Sequence, residues 1–295
     1  MSNGSTNGEN PHCAVCGTSV ETGLRPWLKQ CGRCGNESSL LADPAWHDGP
    51  LLGWDPVSEE FMRPLREQNA ALLLGHIARQ RQLKDMRVLE VGCAAGWFLT
   101  AARDAGMVIE GIEPDDRMAD RAADVGIDVV RGYFPECLDP ARRYDLICFN
   151  DVFEHIPDCR AVLQAVRGAL APDGLLLLNL PCAGGVLYRV ARLLARLGDD
   201  RTLERLWQKG YESPHLHYFT DRNLRTLVED AGFKQRDRGS LPSVTLHGLR
   251  ERVMEGDSFN AVTGTLVYGA VLAGYPLLRF VLPADIMYQL YTADA

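Results

Sequence analysis

Residues 87–114 read RVLEVGCAAGWFLTAARDAGMVIEGIEP, and the reading of this stretch decides the fold. Val88, Leu89 and Val91 make a short apolar run of the length expected for a buried strand. The run ends in Gly92-Cys-Ala-Ala-Gly96. Phe98, Leu99 and Ala102 then fall on one side of a helix that Gly106 stops. Met107 to Ile112 is a second strand, closing on Glu113. Strand, glycine-containing turn, helix, strand and terminal acid describe a βαβ unit that takes a nucleotide at the carboxyl end of its strands. The glycines let backbone approach a ligand closely, and Glu113 can accept both hydroxyls of a ribose.

Spacing selects the nucleotide. A dehydrogenase-like Rossmann domain, the alternative, requires G-x-G-x-x-G under a pyrophosphate. Here the string is Glu90-Val-Gly92-Cys93-Ala94-Ala-Gly96, with an acid two residues before the first glycine. An acid there repels a pyrophosphate but can hold an ammonium group. The string resembles the first motif of class I S-adenosylmethionine (SAM) methyltransferases, acid-x-G-x-G-x-G at the end of a first strand. The resemblance implies that Glu90 lies near the methionine end of SAM and that Glu113 holds the ribose. Two departures are visible: Glu90 stands where Asp is common, and Ala94 replaces the middle glycine. Alanine is the smallest intrusion, so binding is expected to survive it.

The later chain supports this. Tyr144 to Phe149 is a strand, followed by Asn150-Asp-Val-Phe-Glu154-His155 and a helix with Val162, Leu163, Val166, Ala169 and Leu170 on one face. A Pro172-Asp-Gly174 turn leads into Leu175 to Leu180, an apolar run of the kind buried on both sides, broken only by Asn179. The likeness runs from Arg87 through about Phe233. It implies an α/β, Rossmann-like class I methyltransferase sheet of seven mostly parallel strands, with Ile286 to Thr292 as a last strand. The expected cofactor set is Glu90, Gly92, Cys93, Ala94, Gly96, Trp97, Phe98, Glu113, Pro114, Gly132, Tyr133, Asn150, Asp151 and Val152. Of these, Gly132 and Tyr133 flank the adenine in relatives, and Asn150, Asp151 and Val152 follow the fourth strand at the carboxyl edge.

Near the N-terminus, Cys13-x-x-Cys16 and Cys31-x-x-Cys34 are separated by fourteen residues, and each pair is followed by glycine. Four thiolates so spaced complete a tetrahedral zinc shell with no open position, a structural ribbon spanning 13–40. A unit that small cannot bury a sufficient core without a staple. Residues 1–12 are polar and expected to be a disordered tail. Residues 41–85 read as a linker and a leading helix, from about Glu59 to Gln82 with Ser58 as N-cap and Pro64 as a possible restart. Trp54 and Phe61 are candidate cleft residues. Residues 86–295 are the expected SAM-binding domain.

Between Leu180 and Tyr218 lies an insertion, a helical lid at about 183–216. Val186, Leu187, Val190, Leu193, Leu194 and Leu197 recur at helical spacing and are expected to face inward, with Arg189, Arg192 and Arg196 off that stripe. The following Tyr211-Glu212-Ser-Pro-His215-Leu-His217 passage supplies candidate catalytic residues. His217 is the first expected base for an acceptor hydroxyl, because an imidazole titrates near neutral pH, with His155 and His215 as alternatives. Tyr211 and Glu212 complete the set.

A net charge of −8 argues against a broad nucleic-acid footprint. Nine cysteines, an odd number, with no apolar leader segment point to a reducing, cytoplasmic setting. Residues 258–278 carry no charge, yet three glycines and a proline make a packed helix or a surface contact the expectation, not a membrane span. The expected activity is SAM-dependent methyl transfer to a hydroxyl of a small molecule, a sugar or other glycan or natural-product precursor. The alternatives are a sugar-nucleotide C-methyltransferase, an rRNA base methyltransferase and a SAM-binding module without turnover.

Overall fold

The computed structural model describes residues 12–243 and 283–294, apart from 48, 50, 54 and 55, with a few single positions between 265 and 275. Trp54, the side chain of Phe61, most of 258–278 and all but the last residue of the expected tail lie outside them. That last residue, His12, pairs with Ser19. Among the described residues no helix is long and apolar enough to cross a membrane.

Three short antiparallel strands, β1 (Val20–Thr22), β2 (Leu28–Cys31) and β3 (Glu37–Ser39), follow the first cysteine knuckle, with the second between β2 and β3. Helix α1 runs Pro56–Ala78, so it starts before Ser58, which is not its cap, and passes through Pro64 without ending. Leu65, Leu73 and Ile77 bury its apolar face.

The apolar runs then become neighbours in one sheet. Strands β4 (Arg87–Val91), β5 (Val108–Glu113), β6 (Val129–Arg131), β7 (Tyr144–Asn150) and β8 (Leu170–Pro181) are parallel. They alternate with helices α2 (Trp97–Asp104), α3 (Asp116–Asp124) and α4 (Cys159–Ala169). After β8 come α5 (Val186–Arg196), α6 (Arg201–Leu206), β9 (His217–Tyr218), α7 (Asp221–Asp230), β10 (Phe233–Leu241) and β11 (Ile286–Ala293). The sheet order is β10-β11-β8-β7-β4-β5-β6, and β11 runs antiparallel to both its neighbours. Period-two alternation divides the core into two layers. Val88, Leu146, Cys148, Leu175 and Leu177 cluster with buried residues of α1 and α2. Leu89, Ile147, Phe149, Leu176 and Leu178 cluster with those of α4 and α7.

The insertion departs from expectation. α5 buries Tyr188, Ala191 and Ala195, whereas Leu187, Val190, Leu193 and Leu197 are exposed, Leu197 at 76%. The small-residue face fits because it lies on the ribbon, in a cluster with Trp27, Leu28, Leu41, Leu203 and Trp207. Arg192 is not a solvated arginine: it pairs at 3.2 Å with Glu37, which is buried and also accepts a bond from the Tyr188 hydroxyl at 2.8 Å. The chain returns through β9, which adds a fourth strand to the ribbon sheet by pairing with β3. Ribbon and insertion thus form one layer. Arg160 of α4 joins it to the main domain by donating to the Ala14 and Val15 carbonyls.

Candidate active site

The turn after β4 is built by left-handed backbone. Gly92 sits at φ 67° and Gly96 at φ 77°, and a Cβ on Gly92 would lie 2.6 Å from Val152. Ala94 also adopts φ 47°, a region that costs a side-chain-bearing residue about 1–2 kcal/mol. Its N–H donates to Glu113 Oε2 at 2.8 Å, and Glu113 Oε1 accepts from Asp115 N–H at 2.9 Å. The acid that ends β5 therefore braces the glycine turn through both of its oxygens. Burial pushes its carboxyl above the usual range.

This turn opens a cleft with about 480 Å³ of empty space, part of it open to solvent. Glu90, Gly92, Cys93, Ala94, Trp97, Phe98, Asn150 and Asp151 of the expected set line it. Arg66, Asn69, Ala70, Leu73 and Asn179 line it too, and sequence reasoning missed all five. Asn179 carried a signal, as the one polar residue within the run Leu175–Leu180. Glu113 lies behind the turn, Pro114 is exposed beyond it, and Val152 packs under Gly92. Tyr133 is 72% exposed past the end of β6, beside Gly132 at φ 137°.

Polar atoms in the cleft are only partly matched. Asn150 Nδ2 donates to Glu90 Oε1 at 2.7 Å, and Asn179 Nδ2 reaches Asn150 Oδ1 at 3.4 Å. Glu90 Oε2, Asn69 Oδ1 and Asn179 Oδ1 are buried and have no hydrogen-bond partner among the described residues. Burial pushes the Glu90 carboxyl up to about 8. Arg66 donates to Asp151 at 3.2 Å and lies 5.5 Å from the Trp97 ring centre, a cation over an aromatic face. The cleft thus offers an unmatched acid and a cation, the complement of an amino-acid zwitterion.

A second cluster lies further along the same edge. After β7 a single 3-10 turn, Phe153–His155, presents Glu154 and His155, and the loop before β9 presents His215. One donor atom from each lies within 4.8 Å of the other two. Glu154 is 1% exposed, and burial holds its carboxyl well above the usual range. His215 is pushed down to about 3, and His155 is lowered, both mainly by burial.

The other expected catalytic residues do not join this cluster. His217, the expected base, is 5% exposed in β9, stacked on Phe219 at 5.4 Å. Its nitrogens lie near the Ile156 and Pro157 carbonyls without reaching hydrogen-bond geometry, and burial pushes it down to about 4. The ring is thus enclosed on the ribbon side of the fold. Tyr211 and Glu212 are exposed: Tyr211 bridges to Leu52, and Glu212 N–H donates to the Leu52 carbonyl at 3.1 Å.

Cys13, Cys16, Cys31 and Cys34 converge, with Sγ separations of 3.5 Å for Cys13–Cys34 and for Cys16–Cys31. Sulfurs about 2.3 Å from one tetrahedral zinc would be about 3.8 Å apart, so the cage suits that ion.

Comparison with known proteins agrees with this geometry. A family model described as a methyltransferase domain matches residues 61–237. The chain is 28% identical over 222 residues to a ubiquinone biosynthesis O-methyltransferase from Azorhizobium caulinodans, spanning 70% of this chain and 80% of that one. It is 29% identical over 155 residues to the C-methyltransferase NovU of Streptomyces niveus, 51% of this chain and 33% of the other. Among solved structures, a SAM-dependent methyltransferase from Archaeoglobus fulgidus superposes with a TM-score of 0.50 at 17% identity, covering 80% of this chain and 99% of that one. A magnesium protoporphyrin IX methyltransferase from Synechocystis with bound S-adenosylhomocysteine gives 0.52 at 12% identity, covering 84% and 91%.

Proposed function

This chain belongs to the methyltransferase-domain family, a SAM-dependent enzyme by that membership, and we propose that it methylates a hydroxyl of a small molecule. One observation carries the cofactor half of the proposal: the buried, half-unpartnered Glu90 in the cleft beside the Gly92–Gly96 turn. A buried polar atom without a partner costs about 1–3 kcal/mol, and a ligand ammonium removes that cost. Glu90 would hold the SAM ammonium, Arg66 its carboxylate and Glu113 the ribose hydroxyls, with Tyr133 beside the adenine. SAM supplies an electrophilic sulfonium methyl and departs as S-adenosylhomocysteine. The protein's share is alignment, which can contribute roughly 7–11 kcal/mol.

Oxygen is the proposed acceptor atom because the A. caulinodans relative is named an O-methyltransferase and spans most of this chain. Sugars and other glycan or natural-product precursors fall within that acceptor class. The match to NovU supports C-methylation as a second reading. The four N-terminal cysteines would hold a structural zinc, closed to substrate. A panel of phenols, sugars and enolisable carbonyl compounds incubated with SAM tests the acceptor. O-methyl products are expected, and exclusive formation of C-methyl products would overturn the choice of oxygen.

A further inference from the structure

Glu154 poses a physical question that the cofactor cleft does not answer. Both of its carboxylate oxygens are buried and have no hydrogen-bond partner among the described residues. Nearby, His215 Nδ1 is buried and unmatched as well, and Glu154 Oε1 lies 3.9 Å from His215 Nε2. Buried side-chain oxygens are normally satisfied by protein, water or an ion.

We propose that Glu154, His155 and His215 form a second metal site, taking a divalent cation such as Zn²⁺, Co²⁺ or Mn²⁺. The donor set fits this chemistry: two imidazoles and one carboxylate suit borderline divalent metals, unlike the four thiolates of the ribbon. His155 is already oriented for it. Its Nδ1 lies 2.9 Å from the Pro214 carbonyl, a bond that requires Nδ1–H and leaves the Nε2 lone pair for a metal.

The loop that carries His215 is tied down independently. Leu216 N–H donates to the Glu154 carbonyl at 2.9 Å, His215 N–H to that of Trp207 at 3.1 Å, and Ser39 Oγ to that of His215 at 2.6 Å. Ligation at about 2.1 Å would draw the donor atoms to about 3.4 Å apart. Three protein donors leave a coordination position open, the pattern of catalytic rather than structural sites. The site follows Asp151, which lines the cofactor cleft. Resting on the hydroxyl-methylation reading, that position suits an acceptor oxygen, whose acidity a bound cation raises.

The test uses full-length protein with its ribbon zinc retained, titrated with cobalt(II) chloride and followed by visible absorption. Cobalt at this site should give d–d bands without the sulfur-to-cobalt charge transfer that replacement of the ribbon zinc would produce. One equivalent is expected. Glu154→Gln, and separately His155→Ala at a partly buried position, should each weaken uptake by about 100-fold or more, beyond the usual cost of losing an outer-shell partner. SAM affinity measured on the same samples shows that the variants are folded. No uptake by the wild type, or uptake unchanged in both folded variants, overturns the site. Cobalt uptake as expected without O-methyl products would leave the site standing and sink only the acceptor reading.

Discussion

Glu90 makes the cofactor assignment testable through protons. Its carboxyl is pushed up to about 8 by burial, so at pH 5.5–7 most free protein carries it neutral. Pairing with the SAM ammonium requires the carboxylate, so binding must expel a proton. Affinity should then rise close to tenfold per pH unit below that pKa. From pH 5.5 to 7 this amounts to about 30-fold, or roughly 2 kcal/mol. The α-amino group of the ligand, with a reference pKa of about 7.7–8.0, stays largely charged over this range. Calorimetry in buffers of different ionisation heat should find about 0.9 proton released at pH 7. Glu113 behind the glycine turn is also raised by burial, so the quantity read is the difference between wild type and Glu90→Gln. Equal pH slopes in the two would refute the reasoning. The same proton also supports the fold, so losing it costs stability. The folded state retains it at pH values where the unfolded chain, near 4.5, has released it. Stability of the free protein should therefore fall as pH rises from about 4.5 to about 8, and level off beyond.

Glu113→Ala should weaken SAM binding by about 1–3 kcal/mol in calorimetry, since charge-assisted bonds to the ribose and the brace on Ala94 are both lost. Ala94→Gly relieves a left-handed alanine at φ 47° and should raise thermal stability by about 0.5–1 kcal/mol, the steric gain exceeding the added unfolded-state entropy. His217→Ala should lower stability by about 2–3 kcal/mol through the cavity it leaves. Turnover per folded molecule should keep its pH profile, and a lost acidic limb would return His217 to the role of base.

Most of the parallel sheet was legible because its longer strands announce themselves locally. The run Leu175–Leu180 can only be buried on both faces, and Glu90 and Glu113 end strands whose pairing follows from the βαβ unit between them. The insertion was not legible for an equally physical reason. Helical periodicity gives α5 two apolar faces, one of leucines and one of Tyr188, Ala191 and Ala195. Which is buried depends on Glu37, Trp27 and Leu41, about 150 residues earlier in the chain, and a hydrophobicity count favours the wrong face. The burial of His217 was hidden likewise, because it follows from pairing with Ser38, which no local pattern encodes. Arg66 and Asn69 look like ordinary polar positions of α1 until the helix is laid beside the cleft.

That long-range pairing would give a zinc held by the four cysteines a mechanical consequence. β3 pairs with β9 through Ser38 and Glu37, and Ser39 N–H donates to the Leu216 carbonyl at 2.9 Å. The loop bearing His215 is therefore held partly by a strand that the four cysteines fold. No residue from 13–40 lines the cofactor cleft. Zinc bound by four thiolates can supply on the order of 10 kcal/mol of folding free energy to its own unit. Cys31→Ser should abolish binding of the zinc that the four cysteines would hold, read by metal analysis, and lower the melting temperature. At temperatures where the main sheet stays folded, SAM affinity should hold. Turnover should fall on the order of 10²-fold, because His215 and its neighbours lose their registration with the cleft by an ångström or more. A parallel loss of SAM affinity would mean that the ribbon supports the whole domain. Unchanged turnover would mean that the His215 loop stands without it.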